Sequence, residues 1–256
     1  PEKIISRKIR LPLKIFSEYC TKERKHLIQS SGTLVNGSQK YYSRKTSLVP
    51  NNDYGKSKLE AEKLILNWLK DNKEVQTIII RPAVVFGEYN FGNVFNLFQQ
   101  IRSKVFAIIG NGRNIKSIAY AGNIVDSVMF CLDKINDPLF IYNYCDYPQK
   151  NISDQSNTIT SLLGYKRPYK FPLWITKFIT IPIDFFERII KKDLKINSMR
   201  VEKFTVPTYF IADKIRDRGF IQKTTIFNSF SKTNSWLLSN NINSLRKIWM
   251  NKSSKL

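Results

Sequence analysis

Tyr54 and Lys58 are the two residues in this chain whose types and spacing point most directly to chemistry. They stand at i and i+4 in a run of strong helix formers that follows Asp53 for about five helical turns, without proline and with no glycine beyond Gly55. On a helix that spacing puts a phenol and an ammonium on one face, one turn apart. The stripe below them, Ala61, Leu64, Ile65, Trp68 and Leu69, has the spacing of a face turned toward the interior. A free phenol titrates near pH ~10, and a fixed cation a few ångströms away favours the phenolate and lowers that value. Tyr54 is thus a candidate general acid or base tuned by Lys58. An ordinary amphipathic helix in a Tyr- and Lys-rich sequence would show the same pair by chance, so the neighbouring elements must decide.

Those elements read as a strand on either side of the helix. Lys25 to Gln29 is short and apolar in its middle, and Ser30, Ser31, Gly32 and Thr33 end it, which predicts a buried strand delivering hydroxyls to its carboxyl end. Polar, irregular sequence from Gly37 to Asp53 predicts a loop. Glu74 to Pro82 is a nearly continuous β-branched run, the pattern of a parallel strand buried on both faces. Strand, helix and strand make a βαβ unit, and ligands of such open sheets lie beyond the carboxyl ends of the strands. Ser30, Ser31 and Thr33 on one strand and Pro82, Ala83 and Val84 on the other therefore converge where the Tyr54 helix begins.

Composition narrows the alternatives. The 256 residues, 42% hydrophobic and 13% aromatic, suffice for one large or two small domains. No stretch approaches the ~20 uninterrupted apolar residues of a transmembrane helix. The net charge of +22, from 42 Lys and Arg against 20 Asp and Glu, is spread along the chain rather than gathered in an arm. It reads as a bias toward Lys, Asn and Ile, so nucleic acid is not expected as a partner, although a basic surface attracts phosphorylated small molecules. Cys20, Cys131 and Cys145 lack CxxC spacing, and His26 is the single histidine, which argues against disulfides, metal sites and a Ser-His-Asp triad. A reducing cytoplasm fits. The chain opens at Pro1 with neither Met nor a signal-peptide pattern, and is expected to lack its true start.

Further along, Pro1 to Cys20 reads as a bent helix, Val94 to Ile101 as a helix, and Val105 to Ile109 as a strand closed by Gly110-Asn111-Gly112. Asn123 with Asp126 is expected to cap a helix whose inward residues are Ile124, Val125, Val128, Met129 and Leu132. Phe140 to Tyr144 is a further strand, and the pattern from Asn151 onward is mostly helical. The stretch from Phe171 to Ile190, followed by Lys191-Lys192, mixes apolar and basic residues as an interfacial helix does, but Pro172 and Pro182 break it. It is read as core or cleft wall in preference to peripheral membrane contact, which stays open. The end from Ser239 to Leu256 is expected to be partly exposed.

Ser30-Ser31, Tyr54-x-x-x-Lys58, Arg81-Pro82-Ala83-Val84-Val85-Phe86-Gly87, Phe91 to Leu97, Gly110 to Ser117 and Asn123 to Asp126 occur in an order that resembles the extended short-chain dehydrogenase/reductase superfamily, in its NAD-dependent epimerase/dehydratase branch. The likeness is in register from residue 26 to 132 and looser to about Phe220. It implies an α/β fold, a Rossmann-like doubly wound parallel sheet, N-terminally incomplete, with a smaller, mostly helical substrate-binding part. Residues 1–150 would then hold the remainder of the NAD-binding domain with interleaved substrate segments, and 151–256 the substrate part and tail.

The same resemblance implies roles. Tyr54 would be the catalytic acid/base, and Lys58 would lower its pKa and bond the nicotinamide ribose. Ser31 would be the catalytic hydroxyl, with Thr33 as the alternative, and Ser30, Pro82, Ala83 and Val84 would line the cofactor. Asn93, Lys116 and Arg200 would touch the diphosphate of a nucleotide sugar, Lys116 standing where the family often has an Arg able to bind with two prongs. The implied activity is NAD-dependent epimerisation of a UDP-sugar in cell-surface polysaccharide synthesis, by a homodimer. A reductase, a dehydratase or a non-catalytic remnant that binds nucleotides or polyanions are the alternatives. One departure stands out: the family opens with a Gly-rich pyrophosphate-binding turn, and no G-x-G-x-x-G or G-x-x-G-x-x-G occurs here. Two or more βαβ units, about 30 residues each, are expected to be missing before Pro1.

Overall fold

The aliphatic run Gln76–Pro82 is the middle strand of an all-parallel three-stranded sheet, as a β-branched segment buried on both faces should be. The computed structural model describes residues 26–32, 41–42, 50, 53–175, 205–242 and 244–246. The expected helix over Pro1 to Cys20 lies outside them, as do Thr33 and Arg200. In chain order the elements are β1 (His26–Ser30), β2 (Tyr41–Tyr42), α1 (Asp53–Trp68), β3 (Gln76–Pro82), β4 (Val84–Phe86), α2 (Asn93–Arg102), β5 (Ile108–Ile109) and β6 (Ile118–Tyr120). They continue as α3 (Ala121–Lys134), β7 (Leu139–Tyr144), α4 (Ile152–Leu162), β8 (Lys170–Phe171), β9 (Tyr209–Phe210), α5 (Asp213–Arg216) and α6 (Ile226–Ser239).

Two compact units interleave along the sequence. The first takes Pro1–Val84, Ala119–Asp146 and Phe210–Thr224; the second takes Val85–Ile118, Tyr147–Tyr209 and Thr225–Leu256. In the first, the sheet runs β1-β3-β7, with Ser30 opposite Ile80 and Pro82 opposite Tyr144. Its core joins Ile78, Ile80, Phe140, Tyr142 and Tyr144 to Cys131 and Ile135 of α3 and to Phe210, Ile215 and Phe220. β1 departs from expectation: Ile28 is exposed and the strand only half-buried, because β1 is at the edge of the described sheet.

Helix α1 starts with Asp53, whose charge complements the positive helix end, and finishes where Asn72 Nδ2 takes the carbonyl of Trp68 at 2.8 Å. Ala61 and Ile65 of its predicted stripe are buried, and Leu64 and Trp68 half-buried.

Helix α3 is built otherwise than predicted. Tyr120 is its cap residue without a side-chain bond, and Val125 and Met129 face solvent, while Asn123, Ser127 and Cys131 are buried. Asn123 is not a cap partner of Asp126. It donates to Asp146 Oδ1 (3.0 Å) and the Thr224 carbonyl (2.8 Å), and its Oδ1 accepts from the Thr224 N–H (3.1 Å). Asp126 instead pairs with Lys223 at 3.2 Å. A buried amide must satisfy both ends, and this demand outweighs local capping.

In the second unit, Phe86, Phe98 and Phe230 form an aromatic nucleus with centroids 5.2 and 5.8 Å apart. Helix α4 packs against α2 and α6, and Asn151 caps it by accepting from the Asp154 N–H at 2.8 Å. The predicted strand over Val105 to Ile109 shrinks to β5, because Lys104 turns the chain through a left-handed conformation (φ 59°) and Val105 is solvent-exposed. Nor is the described part of the 171–190 stretch core: Phe171, Leu173 and Trp174 are all exposed.

Candidate active site

The parallel ladder of the first unit fixes the carboxyl ends of its strands to one another. Ser31 N–H donates to the Ile80 carbonyl at 2.8 Å, and Ala83 N–H donates to the Tyr144 carbonyl at 2.9 Å. Ser30 and Ser31 are thereby held beside the end of β3, where Pro82 and Ala83 are buried and Val84 is half-buried.

Helix α1 brings Tyr54 and Lys58 to the same place. Lys58 Nζ donates to the Ser30 carbonyl at 3.2 Å and stands 5.6 Å from the centroid of the Tyr54 ring. One ammonium thus joins the helix to the end of β1 and faces the phenol through its π surface. Tyr54 itself is 56% exposed. Beside them, Ser31 is 5% exposed, and its Oγ has no hydrogen-bond partner among the described residues. Such a group costs folding free energy, and its persistence at the mouth of a sheet points to a ligand.

The electrostatics correct one expectation. Lys58 was to lower the Tyr54 pKa, yet partial desolvation pushes the phenol above its ordinary value. The cation is shared with the Ser30 carbonyl and meets the ring face. In this state Tyr54 holds its proton.

Two residues without a predicted role hold the arrangement. Arg81 on β3 grips Glu62 of α1, with Nε 3.0 Å from Oε1 and Nη2 2.5 Å from Oε2. Arg81 stands in the sequence motif with no task of its own. The signal was there: a guanidinium in an otherwise aliphatic strand needs a buried anion, and Glu62 adjoins the apolar stripe of α1 one turn after Lys58.

The remaining predicted positions lie in the second unit. Asn93 is exposed at the start of α2. Lys116 is half-buried, donates from Nζ to the Val206 carbonyl at 2.6 Å, and has its pKa lowered by desolvation.

A nicotinamide and its ribose fit the residues of the first unit: an unpartnered buried hydroxyl at Ser31, a cation at Lys58, a protonated phenol at Tyr54, and the small buried side chains of Pro82 and Ala83. A parallel sheet, its crossover helix and this cluster at the strand ends define an α/β protein of Rossmann-like type. The chain belongs to the NAD dependent epimerase/dehydratase family, whose pattern matches residues 1–144. It is 34% identical over 212 residues to N-acetyl-alpha-D-glucosaminyl-diphospho-ditrans,octacis-undecaprenol 4-epimerase of Escherichia coli O157:H7, a match covering 82% of this chain and 64% of that protein. Against UDP-glucose 4-epimerase of Vibrio cholerae it is 30% identical over 107 residues, 41% of this chain and 31% of the relative. The chain thus spans less than two thirds of either relative. In fold it is similar to a crystal structure of UDP-glucuronic acid 4-epimerase from Bacillus cereus in complex with NAD, at a TM-score of 0.64 and 14% identity over 88% of this chain and 64% of the other.

Proposed function

We propose that the protein is an NAD-dependent epimerase that inverts one carbon of a diphosphate-linked sugar, with UDP-sugars as its substrate class, in the synthesis of cell-surface polysaccharide. The observation that carries this is the placement of Lys58 between the Ser30 carbonyl and the Tyr54 ring, with the unpartnered Ser31 hydroxyl at the same strand end. Bound NAD supplies the acceptor and donor of the hydride at the inverted carbon. With the phenol proton first passed to solvent, the Tyr54 phenolate accepts the proton of the sugar hydroxyl and returns it after the keto sugar has turned over in the site. Ser31 donates a hydrogen bond to that oxygen, with Thr33 as the alternative hydroxyl. Lys58 holds the ribose and offsets negative charge on Tyr54 once substrate excludes water from the phenol. Pro82, Ala83 and Val84 line the nicotinamide, while Asn93, Lys116 and Arg200 bind the diphosphate. Residues 1–150 carry the cofactor part and 151–256 the sugar part of this cytoplasmic homodimer.

Two rivals in the same fold are less favoured. A dehydratase needs a carboxylate beside the catalytic hydroxyl, and the sequence from Ser30 to Gly37 has none. A reductase would consume reduced cofactor in step with product, which an epimerase does not. The identity to the Escherichia coli relative favours a second reading of the carrier, polyprenyl diphosphate in place of UDP, and with it contact with the membrane surface.

Calorimetry with NAD, followed by turnover assays offering UDP-linked and polyprenyl-diphosphate-linked N-acetylglucosamine, tests both carriers. Tyr54→Phe is expected to abolish turnover and leave sugar-diphosphate binding within about threefold, since the phenol acts on a proton rather than on the carrier. Full activity of that variant would overturn the mechanism.

A further inference from the structure

The stretch from Tyr165 to Trp174 in the second unit exposes large apolar side chains and cations together. Tyr169 is 82% exposed, Trp174 63%, Phe171 46% and Leu173 37%, and Lys166, Arg167, Lys170 and Pro172 are exposed among them. No Asp or Glu occurs from residue 155 to 183. This is not a loose strand: β8 pairs in parallel with β5, the Ile108 N–H donates to the Tyr169 carbonyl and the Gly110 N–H to the Phe171 carbonyl, both at 2.8 Å. The ladder fixes the backbone from Tyr169 to Phe171. On the adjoining turn Lys104 lies 5.5 Å from the Tyr165 ring, and exposed Val105 extends the apolar surface.

We propose that this surface docks the protein onto an anionic phospholipid bilayer. Trp, Tyr and Phe favour the boundary between headgroups and acyl chains, where ring and polar tip both find their solvent. Lys166, Arg167, Lys170 and Lys104 meet the negative surface of such a leaflet, within the reach that salt leaves to a charge. Leu173 and Pro172 fit acyl chains and offer nothing to a stacked base, which sets the bilayer ahead of single-stranded nucleic acid. Among the described residues no helix is long and apolar enough to cross a membrane. The purpose of the contact rests on the polyprenyl-linked reading, because such a substrate resides in the bilayer. The surface itself is testable without cofactor or sugar, so failure of either leaves the other standing.

The whole chain is sedimented with vesicles of phosphatidylglycerol and phosphatidylethanolamine and, in parallel, of phosphatidylcholine alone, with tryptophan emission recorded. Binding to the anionic vesicles with a blue shift, and roughly tenfold weaker partitioning of Phe171→Ser/Trp174→Ser, is expected, because both ring contacts with the acyl boundary are removed at constant net charge. A chain this basic binds anionic vesicles by charge alone, so undiminished binding of that double variant overturns the proposal. Lys166→Gln/Arg167→Gln/Lys170→Gln is expected to weaken binding to anionic vesicles only. Because all five side chains are exposed, circular dichroism should show unchanged melting; a variant that melts early is replaced by Phe171→Tyr/Trp174→Tyr, expected to retain partial binding. Two further outcomes overturn the idea: loss of oligonucleotide binding in place of vesicle binding, or a concentration-dependent dimer that the double variant abolishes.

Discussion

Arg81 and Glu62 meet side-on through two parallel contacts, from Nε and Nη2, 3.0 and 2.5 Å long, with Glu62 1% exposed and Arg81 14%. The pair joins the strand that ends in Pro82 to the helix that carries Tyr54 and Lys58, so it sets the distance between the two halves of the candidate site. Removing one partner leaves the other charge buried and alone. Glu62→Ala is therefore expected to destabilise the fold by about 3–5 kcal/mol, and Glu62→Leu/Arg81→Met by clearly less. Urea unfolding of the three proteins decides. Equal losses in single and double variants would mean that packing, and not charge pairing, holds α1 to β3.

Ser31 presents the reverse case, a buried hydroxyl with no hydrogen-bond partner among the described residues. Ser31→Ala is expected to leave stability unchanged or raise it by up to about 1 kcal/mol, since it deletes an unsatisfied polar group. Turnover should fall by about a hundredfold or more if the hydroxyl bonds the reacting oxygen. A stability loss beyond about 1 kcal/mol would assign Ser31 a structural partner instead.

These two cases show what the sequence could and could not disclose. The β-branched run of β3 and the i, i+4 pairing of Tyr54 with Lys58 are local patterns, and they announced a parallel sheet and its crossover helix correctly. The apolar residues around Phe171 and Trp174 suggest core or cleft wall, and their exposure rules out the core alone, because exposure depends on what packs above them. Asn123 was taken as a helix cap because its neighbour Asp126 is near in sequence. Its true partners, Asp146 and Thr224, are 23 and 101 positions away. Periodicity reports which face of an element is apolar; it carries no information about a polar group satisfied across the fold.

Gly112 gives a sharper test of the second unit. It has φ +68°, and a Cβ there would lie 2.1 Å from Ser153 Oγ and 2.7 Å from Ile108 Cγ2. Gly112→Ala combines left-handed strain with a clash, so a loss of about 2–4 kcal/mol is expected. Ser153→Ala introduced alongside should recover only the part due to the nearer contact. Thermal melting of the two variants measures both shares, and a Gly112→Ala protein as stable as the parent would show that the turn rearranges freely.

Asp146 ties the Asn123 network to pH. It is 1% exposed, and desolvation pushes its carboxyl from 3.8 up to about 6, against the opposing pull of hydrogen bonds from Asn123, the Tyr120 N–H and Tyr144. The folded state therefore binds the proton more tightly than the unfolded chain between those two values. Its contribution is fully present below the unfolded pKa and is lost as pH rises through the folded one. Between about pH 4 and 6 the wild type should lose on the order of 1–3 kcal/mol relative to Asp146→Asn, whose amide does not titrate. Unfolding by urea at intervals across that range gives the difference directly, cancelling the carboxylates common to both. A difference that stays constant with pH would mean that Asp146 is ionised in the folded protein throughout, and that its three donors outweigh its burial.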